Sequence, residues 1–122
     1  MSSNFTVRLL GRIVSIEKHT THDGATPQSW GRSYLHRNIV FVDTSPGNPV
    51  LRIAIHELLH QYLYYSGCHR DYDANEEQSC ELFGAFMESL VNENGPDIIE
   101  KIYNWLNDVI TKEKVGTKKE TT

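Results

Sequence analysis

The sequence predicts an α+β fold: a small antiparallel sheet, then a helix that carries polar residues in an apolar setting, then two further packing helices. Three observations predict it. Apolar residues alternate with polar ones near the start of the chain, as in Phe5, Val7 and Leu9, which is the period of a half-buried strand. From Pro49 onward the apolar residues recur at helical spacing. Gly67 and the pair Asn94-Gly95 punctuate that helical stretch, where helix C-termini are commonly closed.

Taken in order, Phe5–Leu9 and Ile13–Ile16 flank Gly11 and read as one strand bent at the glycine, or as two short strands. Lys18 to Ser33 is polar and contains Gly24, Pro27 and Gly31, so a long loop is predicted there. Ile39-Val40-Phe41-Val42, closed by Asp43-Thr44-Ser45-Pro46-Gly47, is a buried strand ended by a turn. Its place before the helix makes it the expected sheet edge for pairing with an extended peptide. The first helix is predicted from about Pro49 to Tyr65, with Gly67 as its stop. The second is predicted to open at Asp73, with Asp73 and Glu76 as a capping-box-like pair, and to end near Asn94. The third begins at Pro96, a favoured residue in a first turn. It presents Ile98, Ile102, Trp105, Leu106 and Val109 on one face.

Length and composition bound the function classes. The 122 residues, 39% of them hydrophobic, suit one domain, read here as residues 1–111 followed by a polar tail, 112–122, predicted to be disordered. A formal net charge of −4 argues against nucleic acid as a partner, because such proteins carry a basic excess. No apolar run reaches the ~18 residues a membrane span requires, and no secretory signal is visible at Met1–Thr6. A cytoplasmic protein with no membrane partner is expected. Cys68 and Cys80 are expected as free thiols, since two cysteines make no disulfide framework.

The chemistry-bearing motif is His56-Glu57-Leu58-Leu59-His60. Two histidines four apart lie on one side of a helix, about 6 Å apart along its axis at ~1.5 Å rise per residue. Their imidazoles can converge on one ion, and Zn²⁺ accepts neutral histidine readily. Glu57 stands beside them, placed to take a proton from a metal-activated water rather than to bind the metal. A chance copy of the motif has no reason to fall among apolar residues on a helix, where each unsatisfied polar group costs ~1–3 kcal/mol. A third histidine ten positions after the first is absent, because Ser66 stands there. Spacing leaves the third ligand open among His69, Asp71, Asp73, Glu76, Glu77 and Glu81. The second helix is a natural donor, as it follows a short connection and can pack back on the first.

The segment Ile55–His60, followed by Glu76-Glu77-Gln78-Ser79-Cys80-Glu81-Leu82-Phe83-Gly84, resembles the small zincin metallopeptidases of phages and mobile elements. It is most similar to the ImmA/IrrE-type branch of the gluzincins, in which an H-E-x-x-H helix precedes a helix bearing E-x-x-A-x-x-F-A. Glu77, Cys80, Phe83 and Gly84 match that spacing, with Cys80 and Gly84 in place of the two alanines. The resemblance spans about residues 39–95. It implies a minimal gluzincin that binds Zn²⁺ through His56, His60 and Glu77, with Glu57 as general base and Glu81 as an acid hydrogen-bonded to a ligand imidazole. His69 and Glu76 stand as alternative ligands.

The remaining candidates carry less. His19 and His22 read as exposed loop histidines. Tyr64, Tyr65, His69 and Tyr72 follow the histidine motif, where one side chain could donate a hydrogen bond to an oxyanion. Trp30 and Trp105 read as packing residues. The expected activity is zinc-dependent hydrolysis of a peptide or protein substrate. The alternative is an inactive zincin scaffold that binds a regulatory protein, its metal serving stability.

Overall fold

The computed structural model describes residues 4–20, 30–68, 70–71 and 75–108. Strands β1 (Asn4–Leu9), β2 (Arg12–His19), β3 (Gly31–Tyr34) and β4 (Ile39–Asp43) are followed by helices α1 (Val50–Ser66), α2 (Glu76–Asn94) and α3 (Ile98–Leu106). The fold is α+β, with one four-stranded sheet in the order β1-β2-β4-β3.

The sheet is mixed, which corrects the antiparallel sheet that the sequence predicts. β1 and β2 pair antiparallel with Leu9 opposite Arg12, and β3 pairs antiparallel with β4. Between them β2 and β4 run parallel, with Ser15 opposite Ile39 and His19 opposite Asp43. A parallel pair needs a crossover of a dozen or more residues, and the chain between His19 and Ile39 supplies it. That crossover also contains β3, which overlaps the end of the stretch read as loop, as the last residues of β2 overlap its start. A second correction follows from the order. Ile39–Asp43 is an interior strand, and the edge nearest α1 is β3.

Alternation fixes which face is buried. Val7, Leu9, Val14, Ile16, Val40 and Val42 all point to the helical layer and are buried. Ile53, Ala54, Leu58 and Leu63 of α1 meet them, with Phe86 and Leu90 of α2 and Ile98, Ile102 and Leu106 of α3. α1 ends at Gly67 as predicted, with the Cys68 amide donating back to Leu63 O at 2.9 Å. α2 starts at Glu76 rather than at Asp73, because Asn75 is its cap and accepts the Gln78 amide at 2.7 Å. Asp73 lies outside the described residues, as do His22, His69, Tyr72 and the polar tail.

The far end of α2 binds the β1–β2 hairpin. Leu10 and Gly11 form its two-residue turn, both left-handed at φ 50° and 79°, the conformation that a tight hairpin requires. Their amides donate to the Glu93 carboxylate at 2.7 and 2.9 Å. Asn94 accepts from the Arg8 amide and donates to the Arg8 carbonyl at 2.7 and 2.8 Å. On the α3 side, the Lys18 ammonium donates to Trp105 O at 2.7 Å and lies 4.2 Å from that indole ring. Cys68 and Cys80 are free thiols. Among the described residues no helix is long and apolar enough to cross a membrane.

Candidate metal centre

α1 sorts its residues by helical angle. Leu58, Gln61 and Tyr62 turn into the protein and are buried, whereas His56 and His60 are exposed. The two imidazoles meet edge to face, with Nε2 3.2 Å from Nε2. A tetrahedral ion at ~2.0–2.1 Å from each nitrogen holds two ligand nitrogens roughly 3.3 Å apart. The observed 3.2 Å, a hydrogen bond between the two rings, matches that separation. Two imidazoles also form a donor set that zinc accepts.

Glu57 points a different way. It is 8% exposed and lies against β3, where the Ser33 hydroxyl donates to Oε1 at 2.7 Å. The same hydroxyl is 2.8 Å from the Glu57 carbonyl, so one proton is shared between the side chain and the helix backbone. Glu57 Oε2 carries no hydrogen bond among the described residues. Gly31 makes this close approach of strand and helix possible. A Cβ there would sit 2.6 Å from Ile53 Cγ2 and 2.8 Å from Glu57 Oε2, inside van der Waals contact. The Gly31–Ser33 pair thus builds the cradle of the carboxylate from the helix-facing side of the edge strand.

The acids of α2 are placed differently. Glu76, Glu77 and Glu81 are all exposed. Among the described residues no three His, Cys, Asp or Glu side chains are grouped to hold an ion. The structure therefore brings together His56 and His60, and gathers neither Glu57, which turns to Ser33 of β3, nor Glu77 or Glu81 to them. Asp71 is exposed, and His69 and Asp73 lie outside the described residues. His19 is on β2, in edge contact with Phe41 at 6.0 Å.

Several neighbours escaped sequence reasoning. Ser33 and Gly31 sit in a stretch whose composition signals only loop. His36, in the β3–β4 turn, has its Nδ1 3.0 Å from the Tyr64 hydroxyl, one helical turn beyond His60. The periodicity did hold one usable signal: Arg52, His56, His60 and Tyr64 recur every four residues and so form one stripe along α1. Gln61, fully buried, donates to Ile39 O at 3.4 Å while its Oε1 has no partner among the described residues.

Comparison with protein-family models, with curated proteins and with solved structures finds no match to this chain.

Proposed function

We propose that the chain is a zinc-dependent metallopeptidase of minimal gluzincin type. The observation that carries this reading is the exposed pair of Nε2 atoms 3.2 Å apart on the helix that also holds a buried, hydrogen-bonded glutamate. His56, His60 and Glu77 are the proposed ligands, with Glu81 as acceptor for a ligand imidazole N–H. Bound zinc would supply Lewis acidity that brings a water's pKa towards neutral.

The chain's own residues supply the proton chemistry. Glu57 accepts a proton from the attacking water and delivers it to the leaving amine. Ser33 holds Oε1, which fixes the carboxylate's orientation and keeps Oε2 as the basic oxygen. A site that only stabilised the fold would have no use for a base held this way. β3, as the edge strand beside α1, is the proposed pairing edge for an extended peptide, a role that main-chain hydrogen bonding allows without sequence preference. The deciding experiment is elemental analysis of the purified chain combined with cleavage of a peptide library by wild type and Glu57→Gln. Stoichiometric zinc and cleavage lost in the variant support the reading; a chain unable to acquire zinc overturns it.

A further inference from the structure

Beside His56 lies a cavity of about 430 Å³ lined by Leu51, Arg52, Ile55, His56, Leu59 and Phe83. Its volume falls within the ~300–1,000 Å³ typical of ligand sites. Leu51, Ile55 and Leu59 recur every four residues and form one wall on α1, and Phe83 reaches across from α2. Phe83 remains 38% exposed, a large apolar side chain held open to solvent. His56 is shared between this cavity and the histidine pair.

One fixed positive charge stands at the rim. The Arg52 guanidinium is one helical turn before His56 and lies 5.9 Å from the Trp30 ring centroid. It forms no ion pair among the described residues. Nor does the surrounding sequence neutralise it: between residues 30 and 68 the only acids are Asp43 and Glu57, and both are buried. The exposed acids among the described residues lie instead at Asp71 and Asp97 and on α2 and α3, at Glu76, Glu77, Glu81, Glu88 and Glu100. An unpaired guanidinium against an apolar wall attracts anions more strongly than one in open water.

We infer that this cavity is the substrate-specificity site, taking a large apolar side chain of the peptide while Arg52 binds a carboxylate on the adjoining position. The inference deepens the metallopeptidase reading and rests on it for the identity of the ligand as a peptide. The carboxylate has two possible sources, an acidic side chain or the peptide's own C-terminus, and both offer two oxygens to the guanidinium fork.

The test uses the full chain with zinc and the Glu57→Gln substitution, so that binding is read without turnover. Labelled, amidated pentapeptides carry a central Phe followed by Asp, Asn or Lys, and a further peptide ends in a free carboxylate directly after Phe. Fluorescence anisotropy is expected to give about tenfold tighter binding for Asp than for Asn, the size of one charge-assisted hydrogen bond. Arg52→Gln removes that ratio, and Arg52→Glu turns the preference towards Lys. Phe83→Ala, with folding checked by its melting curve, weakens selection of Phe over Ala peptides. Tighter binding of the free-carboxylate peptide than of the Asp peptide assigns the group to a chain end, and the reverse order to a side chain. Equal affinity for Asp and Asn, a ratio that survives Arg52→Gln, or no binding of any of the peptides overturns the inference. Cleavage of the same peptides by wild type is followed in parallel. Charge-dependent binding without cleavage rejects the peptidase and leaves a peptide-binding site, whereas cleavage without charge dependence rejects only the Arg52 site.

Discussion

The Ser33 hydroxyl lies 2.7 Å from Oε1 of Glu57, so a strand residue sets the orientation of a helix carboxylate. Ser33→Ala is expected to leave zinc content unchanged and to lower peptide cleavage about 10–100-fold, the usual size of losing a group that orients a reacting one. Its stability cost should be near ~1 kcal/mol, one hydrogen bond. Paired measurements of kcat and metal content check this; unchanged kcat would detach Ser33 from the chemistry.

Gly31→Ala tests the same cradle by steric means. The new Cβ would meet Ile53 Cγ2 at 2.6 Å, and overpacking of this kind costs about 1–3 kcal/mol. Denaturant unfolding should show that loss, and Gly31→Ser should lose at least as much.

One zinc ion per chain is expected, lost on His56→Ala or His60→Ala. Because a metal that binds only the folded state stabilises it, by ~2.7 kcal/mol at a free concentration a hundred times Kd, chelation should lower Tm in wild type. Neither histidine variant should respond to the chelator. Glu57→Gln is expected to keep zinc and fold while losing cleavage, since an amide cannot accept the water's proton.

The third ligand is decided by zinc affinity. Glu77→Ala is expected to weaken binding far more than Glu76→Ala, and Glu81→Ala to cost about 10–100-fold in affinity or activity. A larger loss for His69→Ala than for Glu77→Ala would place the ligand before α2 and remove the gluzincin assignment.

Acid should release α2 from the hairpin. Burial raises the Glu93 carboxyl, but hydrogen bonds from the Gly11 amide, the Ser89 hydroxyl and the Leu10 amide, with the charge of Arg8, outweigh it and hold its pKa below the ordinary 4.5. A carboxylate depressed in the folded state contributes stability that is complete above its unfolded pKa and is lost as pH falls through the folded one. Wild type should therefore lose more stability than Glu93→Gln between neutral pH and the region below 4.5. Parallel unfolding curves across that range would show Glu93 to be uncoupled.

Much of this architecture is legible in the residues, and the gaps have physical causes. Val40 and Val42 sit in a continuous apolar run, so β4 is plain, and Gly67 marks the end of α1 because a left-handed closure suits it. β3 is hidden because Gly31-Arg32-Ser33-Tyr34 packs only a glycine and a serine against α1. A strand that contributes no large apolar side chain to the core leaves no periodic signal. Parallel pairing of β2 and β4 is hidden for another reason: strand direction depends on the path of the crossover, which local composition does not encode. The histidine pair and Glu57 are readable from spacing alone. Their support by Ser33 is not, since that contact joins residues 24 apart in sequence.

The ties from Glu93 and Asn94 to the hairpin span 82 to 86 residues of chain. Closing so long a loop carries a large entropy cost before any contact rewards it, so this junction is expected to form after the folding barrier has been crossed. Interactions absent from the transition state govern the rate of unfolding rather than of folding. Glu93→Gln should therefore steepen the decay of the native protein while refolding keeps its speed, which makes the clasp between the chain's opening hairpin and α2 a determinant of how long the molecule persists.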